Sequence, residues 1–337
     1  MIVIDGSEGE GGGAVVRAST ALAVLKSRRI RIYNIRARRP RKGLSHQHLT
    51  AVRAIAEISN GRLRGDELGS MELEFSPGRV SGGKFEFDIK TAGSTGLVLQ
   101  AIMIASTAST GELDVTVRGG TDVLWAPTAD YLREVTLPIL GMMGYTAKLE
   151  LIERGYYPEG GGVVHATMEP STLRPLVLEK AEIHCIRGVS HSRNLPIHVA
   201  ERQAESARRT LKRTGLDVDI RVEDASGSLG RGSGITLWAE GNTRLGATSL
   251  GKPGKRAELV GSEAAEELLG FIESGRPLDR YMGDQIIPYM AITGNSRVAT
   301  SELTLHAETN IMLAEKITGR KFRVDGERGG PAVIEAL

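Results

Sequence analysis

Cysteine is almost missing from this 337-residue chain. Cys185 stands alone, which excludes an internal disulfide, fits a reducing cytoplasm and leaves that side chain as a small buried hydrophobe. Aromatic residues make up only 4% of the sequence, too few for a surface that stacks several bases. No apolar run reaches the ~18 residues of a membrane span, so no membrane partner is expected. The first residues, MIVIDGSEGEGG, are acidic where an export signal is basic, and no such signal is read. The H-E-x-x-H metal pair is absent. The most telling gap is in charge: from Gly11 to Ala56 there is no Asp or Glu.

That same window holds Arg17, Lys26, Arg28, Arg29, Arg31, Arg36, Arg38, Arg39, Arg41, Lys42 and Arg53, although the whole chain has a net charge of only +2. Such a block predicts an anionic partner, with phosphates first. Few aromatics beside many guanidiniums suit a protein that grips a phosphorylated end better than one that coats a strand. The 40% hydrophobic and 25% charged content is that of a soluble globular protein, long enough for two domains or one domain with an insertion.

A structural repeat runs through the chain: helix, strand, polar loop, second helix, then two short strands. The first copy reads as helix 14–26, strand 29–35, loop 36–43, helix 45–59 and strands 71–75 and 84–90. The second reads as helix 96–107, strand 112–117, loop 118–127, helix 128–143 and strands 146–154 and 162–168. The third reads as helix 285–293, strand 298–305, a helix from Ala307 to about Thr318, and strands 321–325 and 332–336. Between the last two copies, roughly 182–275 does not fit the repeat. It reads as an α/β insertion of strand 181–187, helix 196–214, strands 218–223, 234–240 and 245–250, and helix 257–274, with a mobile Gly/Ser loop at 227–234. The expected division is a large repeat-built domain, 1–181 and 276–337, with an inserted small domain, 182–275. Equivalent loops then gather on one side of the fold, bringing 36–48 and 119–127 to His306. In SELTLHAETN (301–310), alternation through Leu305 followed by a helix sets His306 where a strand becomes a helix, beside a helix N-terminus that favours an anion.

Two glycine patterns are decoys. Gly9-Glu10-Gly11-Gly12-Gly13-Ala14 satisfies G-x-G-x-x-G/A, but the acid expected about 20 residues later is missing, which leaves only an NADP-type oxidoreductase. EGGG recurs at 159–162, where a hairpin turn is the natural reading. What separates the first string is Arg17, one helical turn beyond Gly13. At 246–253, G-x-x-x-x-G-K ends in Pro253, which removes the hydroxyl a P-loop needs and obstructs the helix start. His46 and His48, two apart, face different ways on a helix. His184, His191 and His198 have no acidic or cysteine neighbours at ligand spacing and read as structural.

In order along the chain, DGSEGEGGGAVVR, IRARRPRKGLSHQHL, TAGSTGLVLQ, GGTD…APTADY, YMGDQ and LHAETN resemble the RNA 3'-terminal phosphate cyclase family. The resemblance covers the repeat-built body and is loose in the insertion. It implies an α/β (α+β) fold of three βαβαββ-type units like the C-terminal domain of a translation initiation factor, plus the small α/β insert. It implies an enzyme that uses ATP to turn an RNA 3'-phosphate into a 2',3'-cyclic phosphodiester through histidyl-AMP and RNA-(3')pp(5')A intermediates, releasing pyrophosphate and AMP. By the same resemblance His306 is the nucleophile, and Arg17, Arg36 and Arg39 hold the triphosphate or the RNA phosphate. Glu10 would carry magnesium or manganese, Gln47, His48 and Gln100 would be polar positions of the nucleotide site, and Pro127, Tyr281 and Asp284 would form the adenylate pocket. The implied partner is RNA with a 3'-phosphate end. Arg38, Arg41 and Lys42 are extra basic residues, and the sequence sets no oligomeric state. A non-enzymatic ribosome-assembly branch of the family lacks the histidine, so His306 points to the catalyst.

Overall fold

A computed structural model describes residues 1–225, 227 and 229–337. Its first unit runs β1 (Ile2–Asp5), α1 (Gly13–Leu25), β2 (Ile30–Tyr33), α2 (His46–Ile58), β3 (Arg62–Arg64) and β4 (Leu73–Ser76). The second runs β5 (Gly83–Asp88), α3 (Thr95–Ser106), β6 (Leu113–Gly119), α4 (Ala129–Tyr131), a π-helical turn (Leu132–Thr136), α5 (Leu137–Met142), β7 (Ala147–Glu153) and β8 (Gly162–Met168). A third begins with β9 (Val177–Leu178). It is interrupted by β10 (Ile183–Arg193), α6 (His198–Leu211), β11 (Asp217–Asp224), β12 (Gly232–Gly241), β13 (Arg244–Leu250) and α7 (Ala257–Glu273). It resumes with α8 (Arg280–Gln285), α9 (Ile287–Thr293), β14 (Ser296–Thr300), α10 (Leu305–Thr318), β15 (Phe322–Gly326) and β16 (Ala332–Ala336).

Three sheets repeat one topology. Their orders are β1-β2-β4-β3, β5-β6-β8-β7 and β9-β14-β16-β15. In each, the first two strands are parallel and the rest antiparallel. The units are therefore βαβαββ, and the sequence frame of the repeat is corrected by one strand. Residues 84–90 open the second unit by pairing with β6 and do not close the first. The strand that completes the first sheet, on the side of β4 away from β2, is β3, whose Arg-Leu-Arg carries one apolar residue and too short an alternation to register as a strand. These mixed four-stranded sheets also remove the dinucleotide-binding alternative, which needs a doubly wound parallel sheet.

The insertion forms its own sheet, β11-β10-β12-β13. Its α6 and α7 pack against each other, and with the inner strand faces they close a separate apolar cluster that includes Ile186, Leu237, Leu268 and Phe271. A small third cluster, Tyr131, Val135, Val189 and Trp238, joins that sheet to the second unit. The main core runs through all three units, because the apolar faces of α1, α2, α3, α9 and α10 pack on one another. The first five residues of the rejected P-loop pattern, 246–250, lie within β13, and the EGGG at 159–162 ends the β7–β8 connection with Gly162 opening β8, as a hairpin would have it. The mobile loop expected at 227–234 includes Ser228, outside the described residues, while its end, from Gly232, is strand. Cys185 is only partly buried, with Sγ 3.8 Å from Glu240 Oε2. Among the described residues no helix is long and apolar enough to cross a membrane.

Candidate active site

The chain around His306 departs from the expected strand. β14 stops at Thr300, and His306 lies in the first turn of α10, whose N-cap is Thr304. The Thr304 hydroxyl oxygen accepts the Ala307 N–H at 3.0 Å, which is why the helix starts there and alternation through Leu305 misleads. The imidazole is exposed on a cavity of about 560 Å3.

The first helix of each unit contributes a wall to that cavity. α1 supplies Arg17, α3 supplies Leu97 and Gln100, and α8 with α9 supply Tyr281, Asp284, Gln285 and Tyr289. The segment 123–127, with Pro127, closes one side, and β13 of the insertion adds Thr248 and Leu250. Of the residues singled out in the sequence, His306, Arg17, Gln100, Pro127, Tyr281 and Asp284 thus share one space. Glu10, Arg36, Arg39, Gln47 and His48 do not line it. They form the layer behind Arg17.

That layer is built on the glycine loop. Gly9 and Gly11 sit at φ +60 and +59, a region open to glycine at little cost, and a Cβ on Gly9 would run into Thr309. The close approach lets the Glu10 N–H donate to Thr309 Oγ1 at 3.0 Å, tying the loop to α10 one turn past His306. A Cβ on Gly13 would collide with His48 Nε2 and approach Arg17. The Glu10 carboxylate accepts the Ala14 N–H (3.2 Å) on one oxygen and Arg39 Nη2 (2.7 Å) on the other. Arg36, at φ +53, donates to Gly43 O at 2.9 Å. The arginine loop therefore does reach α10, through Glu10.

Charge in this layer is unbalanced. Three guanidiniums, Arg17, Arg36 and Arg39, face one carboxylate. Among the described residues no hydrogen-bond or ion-pair partner reaches the Arg17 guanidinium; burial pushes its pKa down to about 10, against the pull of Glu10. Burial and then the charges of Arg17 and Arg36 drive His48 down to about 3, so its ring is neutral and accepts the Ser45 N–H at Nδ1 (3.3 Å). His46 on the other face is exposed, as their spacing required. Gln47 Oε1 accepts the Ser94 N–H at 2.7 Å and so pins the start of α3. Gln47 and His48 thus hold backbone in place beside the cavity.

At the other end, burial and then the charges of Asp279 and Glu302 raise Asp284 to about 7, while the Thr304 hydroxyl donates to it. Asn310 Nδ2 donates to the Asp284 carbonyl at 2.8 Å. The Tyr281 ring has the Arg280 guanidinium 4.9 Å from its centroid, and Tyr131 and Phe271 meet it edge-on. Its hydroxyl donates to Glu267 (2.8 Å). Sequence reasoning missed Thr304, Asn310, Arg280 and the two insertion residues. Arg280 adjoins Tyr281 in the chain, but nothing in the β13 sequence marks it as a cavity wall.

A second buried cluster lies outside the cavity. Arg154 donates to Asp130 (2.7 Å) and Glu223 (2.9 Å) and lies 3.4 Å from Asp122. His191 Nε2 is 3.3 Å from Asp122 Oδ1. His191 therefore has acidic neighbours that its sequence spacing concealed. Asp122, Asp130 and His191 converge closely enough to ligate an ion. Arg154 already occupies the centre of those carboxylates, so the group does not fit a metal.

The cavity thus brings together a partly buried guanidinium that has no partner among the described residues, an exposed imidazole and an apolar recess, groups whose chemistry is compatible with a phosphorylated ligand that carries a hydrophobic ring. Comparison with known proteins agrees in kind. A family model described as RNA 3'-terminal phosphate cyclase matches residues 8–324. A curated protein of that name from Methanothermobacter thermautotrophicus is 80% identical over 337 residues, covering 100% of both chains. Others so named, from Methanopyrus kandleri and Thermococcus onnurineus, are each 47% identical, covering 99% and 100% of this chain and 98% and 99% of their own. With the shared cavity and the threefold βαβαββ body, these matches make the chain a member of the RNA 3'-terminal phosphate cyclase family of enzymes.

Proposed function

We propose that this chain converts an RNA 3'-terminal phosphate into a 2',3'-cyclic phosphodiester at the expense of ATP, in the cytoplasm. One observation carries the reading: His306 and Arg17, whose guanidinium has no partner among the described residues, open onto the same cavity. A 2'-hydroxyl attacking a phosphate monoester would have to expel oxide, and adenylation replaces that leaving group with AMP. An imidazole nitrogen of His306 attacks the α-phosphorus of ATP; the N–P bond forms, the α–β bridge breaks and pyrophosphate leaves. An oxygen of the RNA 3'-phosphate then attacks the same phosphorus, breaking the N–P bond and giving RNA-(3')pp(5')A. Finally the 2'-hydroxyl, losing its proton, attacks the RNA phosphorus and expels AMP. An imidazole ring nitrogen carries the lone pair such an attack needs.

The arginines supply charge for phosphoryl transfer, which depends mainly on positioning and neutralisation. Arg17 is the direct phosphate ligand in this reading; Arg36 and Arg39 extend the positive field behind it. The recess bounded by Pro127, Tyr281, Gln100 and Asp284 takes the adenylate. Glu10 fits a magnesium or manganese ion held chiefly by phosphate oxygens: it is a single carboxylate whose oxygens each keep a lone pair beyond their present donors. Such an ion would supply charge neutralisation on the triphosphate. Residues 1–181 and 276–337 act as the catalytic body, with 182–275 as an inserted domain that completes one wall.

The test is labelling with ATP radioactive at the α-phosphate. Wild-type protein is expected to trap acid-labile AMP, and His306→Ala to trap none. Absence of label in the wild type would leave the non-enzymatic, RNA-binding assembly role as the better account.

A further inference from the structure

The segment 123–127 carries Trp125 at the cavity edge, 96% exposed and at φ +62. A left-handed backbone is disfavoured for a bulky residue, and an indole in water leaves one of the largest apolar side chains uncovered. The chain's other tryptophan behaves ordinarily: Trp238 is 5% exposed and donates its Nε1–H to Glu240 at 2.7 Å. Nor is Trp125 on a loose tip. Just before it, the Thr121 and Asp122 N–H groups donate to the Gly155 carbonyl at 2.9 and 3.0 Å, and Asp122 is held by the Arg154 cluster. Just after it, the Ala129 N–H donates to the Thr121 carbonyl at 3.2 Å, closing the loop.

We propose, resting on the cyclase reading above, that Trp125 is the stacking platform for the base of the RNA's 3'-terminal nucleotide. A mononucleotide enters the cavity whole, and in the reading above its ring is covered in the recess bounded by Pro127, Tyr281, Gln100 and Asp284. An RNA chain cannot enter whole. Its terminal phosphate reaches His306 and Arg17, while the attached base stays toward the solvent side, where Trp125 stands. An indole face accepts every base, so this contact grips the end of any RNA without reading its sequence. Among the described residues the other exposed aromatic side chains are the tyrosines Tyr33, Tyr157 and Tyr281, and Trp125 is the most exposed of the four and the one that offers an indole face.

The two tryptophans make the test spectroscopic. The emission difference between wild type and Trp125→Phe reports the exposed indole. A short oligoribonucleotide ending in a 3'-phosphate, added without ATP, is expected to quench that difference by at least half. The same oligonucleotide with an abasic last residue, or ATP alone, is expected to leave it nearly unchanged. Trp125→Ala should raise KM for RNA about tenfold with kcat held, Trp125→Phe should recover most of the loss, and AMP labelling of His306 should stay within about twofold of wild type. Equal quenching by abasic RNA, quenching by ATP alone, or a labelling defect as large as the cyclisation defect would overturn the proposal. Failure of the wild type to label at all would overturn the cyclase reading, whereas normal labelling without base-dependent quenching would remove only the platform.

Discussion

Two clusters of buried charge lie near the cavity, and they are built to opposite plans. Around Arg154, cations and carboxylates pair off: Asp130 receives both Arg154 and Arg133 (2.8 Å), Glu223 receives Arg154, and His191 stands beside Asp122. Burial opposes ionisation of Asp122, yet His191 and Arg154 hold its carboxyl well below the usual range. This cluster joins the insertion to the second unit, and Asp122, Asp130 and Glu223 each already have the Arg154 guanidinium beside them. Around Arg17, three guanidiniums share Glu10 and a neutralised His48, and one guanidinium has no partner among the described residues. A closed network serves the fold. An open one, facing a cavity, suits the phosphate-binding role proposed for Arg17.

The sharpest way to break that contrast is to remove the central cation of each cluster. Arg154→Met strands buried carboxylates, and urea denaturation should show a loss of about 3–5 kcal/mol. A loss below about 1 kcal/mol would mean the cluster is not the clamp described. Arg17→Met should do the reverse: AMP labelling falls about 10²–10³-fold, the loss typical of one preorganised charge donor, while the urea midpoint holds or rises because an unpaired cation is gone. If Arg17→Met destabilised the chain as Arg154→Met does, the two clusters would be of one kind.

A smaller effect separates them by pH. His48 has a folded pKa near 3 against about 6.5 when unfolded, so its contribution to stability is complete above pH 6.5 and is lost as pH falls toward 3. Between pH 6.5 and 5 that amounts to about 2 kcal/mol, and His48→Gln should flatten this part of the stability profile. An unchanged slope in the variant would show that His48 is not held neutral by its cationic neighbours.

The same contrast explains what was legible in the sequence. An acid-free stretch is visible as a string, so the open cluster could be read from 11–56 alone. The closed one could not, because Asp122 and Arg154 come from separate segments of the second unit and His191 from β10 of the insertion, and only the packing of the insertion on that unit unites them. Helices were placed within a residue or two where apolar periodicity was long, as in α1 and α2. The errors fell where a strand was too short to alternate, as in β3, or where an N-cap cut a strand-like pattern, as Thr304 does before His306. The Thr248 and Leu250 wall came from an insertion that carries no motif, so only the fold could reveal it.

Asp284 offers the finest test, because it is a strained charge of the opposite sign inside the open half. Burial and the charges of Asp279 and Glu302 raise its carboxyl to about 7, so the folded state keeps the proton while an unfolded chain ionises near 4. Its contribution to stability is therefore present below about pH 4 and is lost as pH rises toward 7. Asp284→Asn retains an oxygen for the Thr304 hydroxyl and removes the charge. It should gain about 1 kcal/mol over wild type at pH 8 and nothing at pH 4, well short of the full shift because the side chain is not wholly buried and its surroundings relax. A gain at pH 8 would place the residue with Arg17, as an ion the fold tolerates for its ligand. A loss at pH 8 would place it with Arg154, as an ion whose partners the fold has already supplied, and the division between open and closed charge would no longer follow the cavity wall.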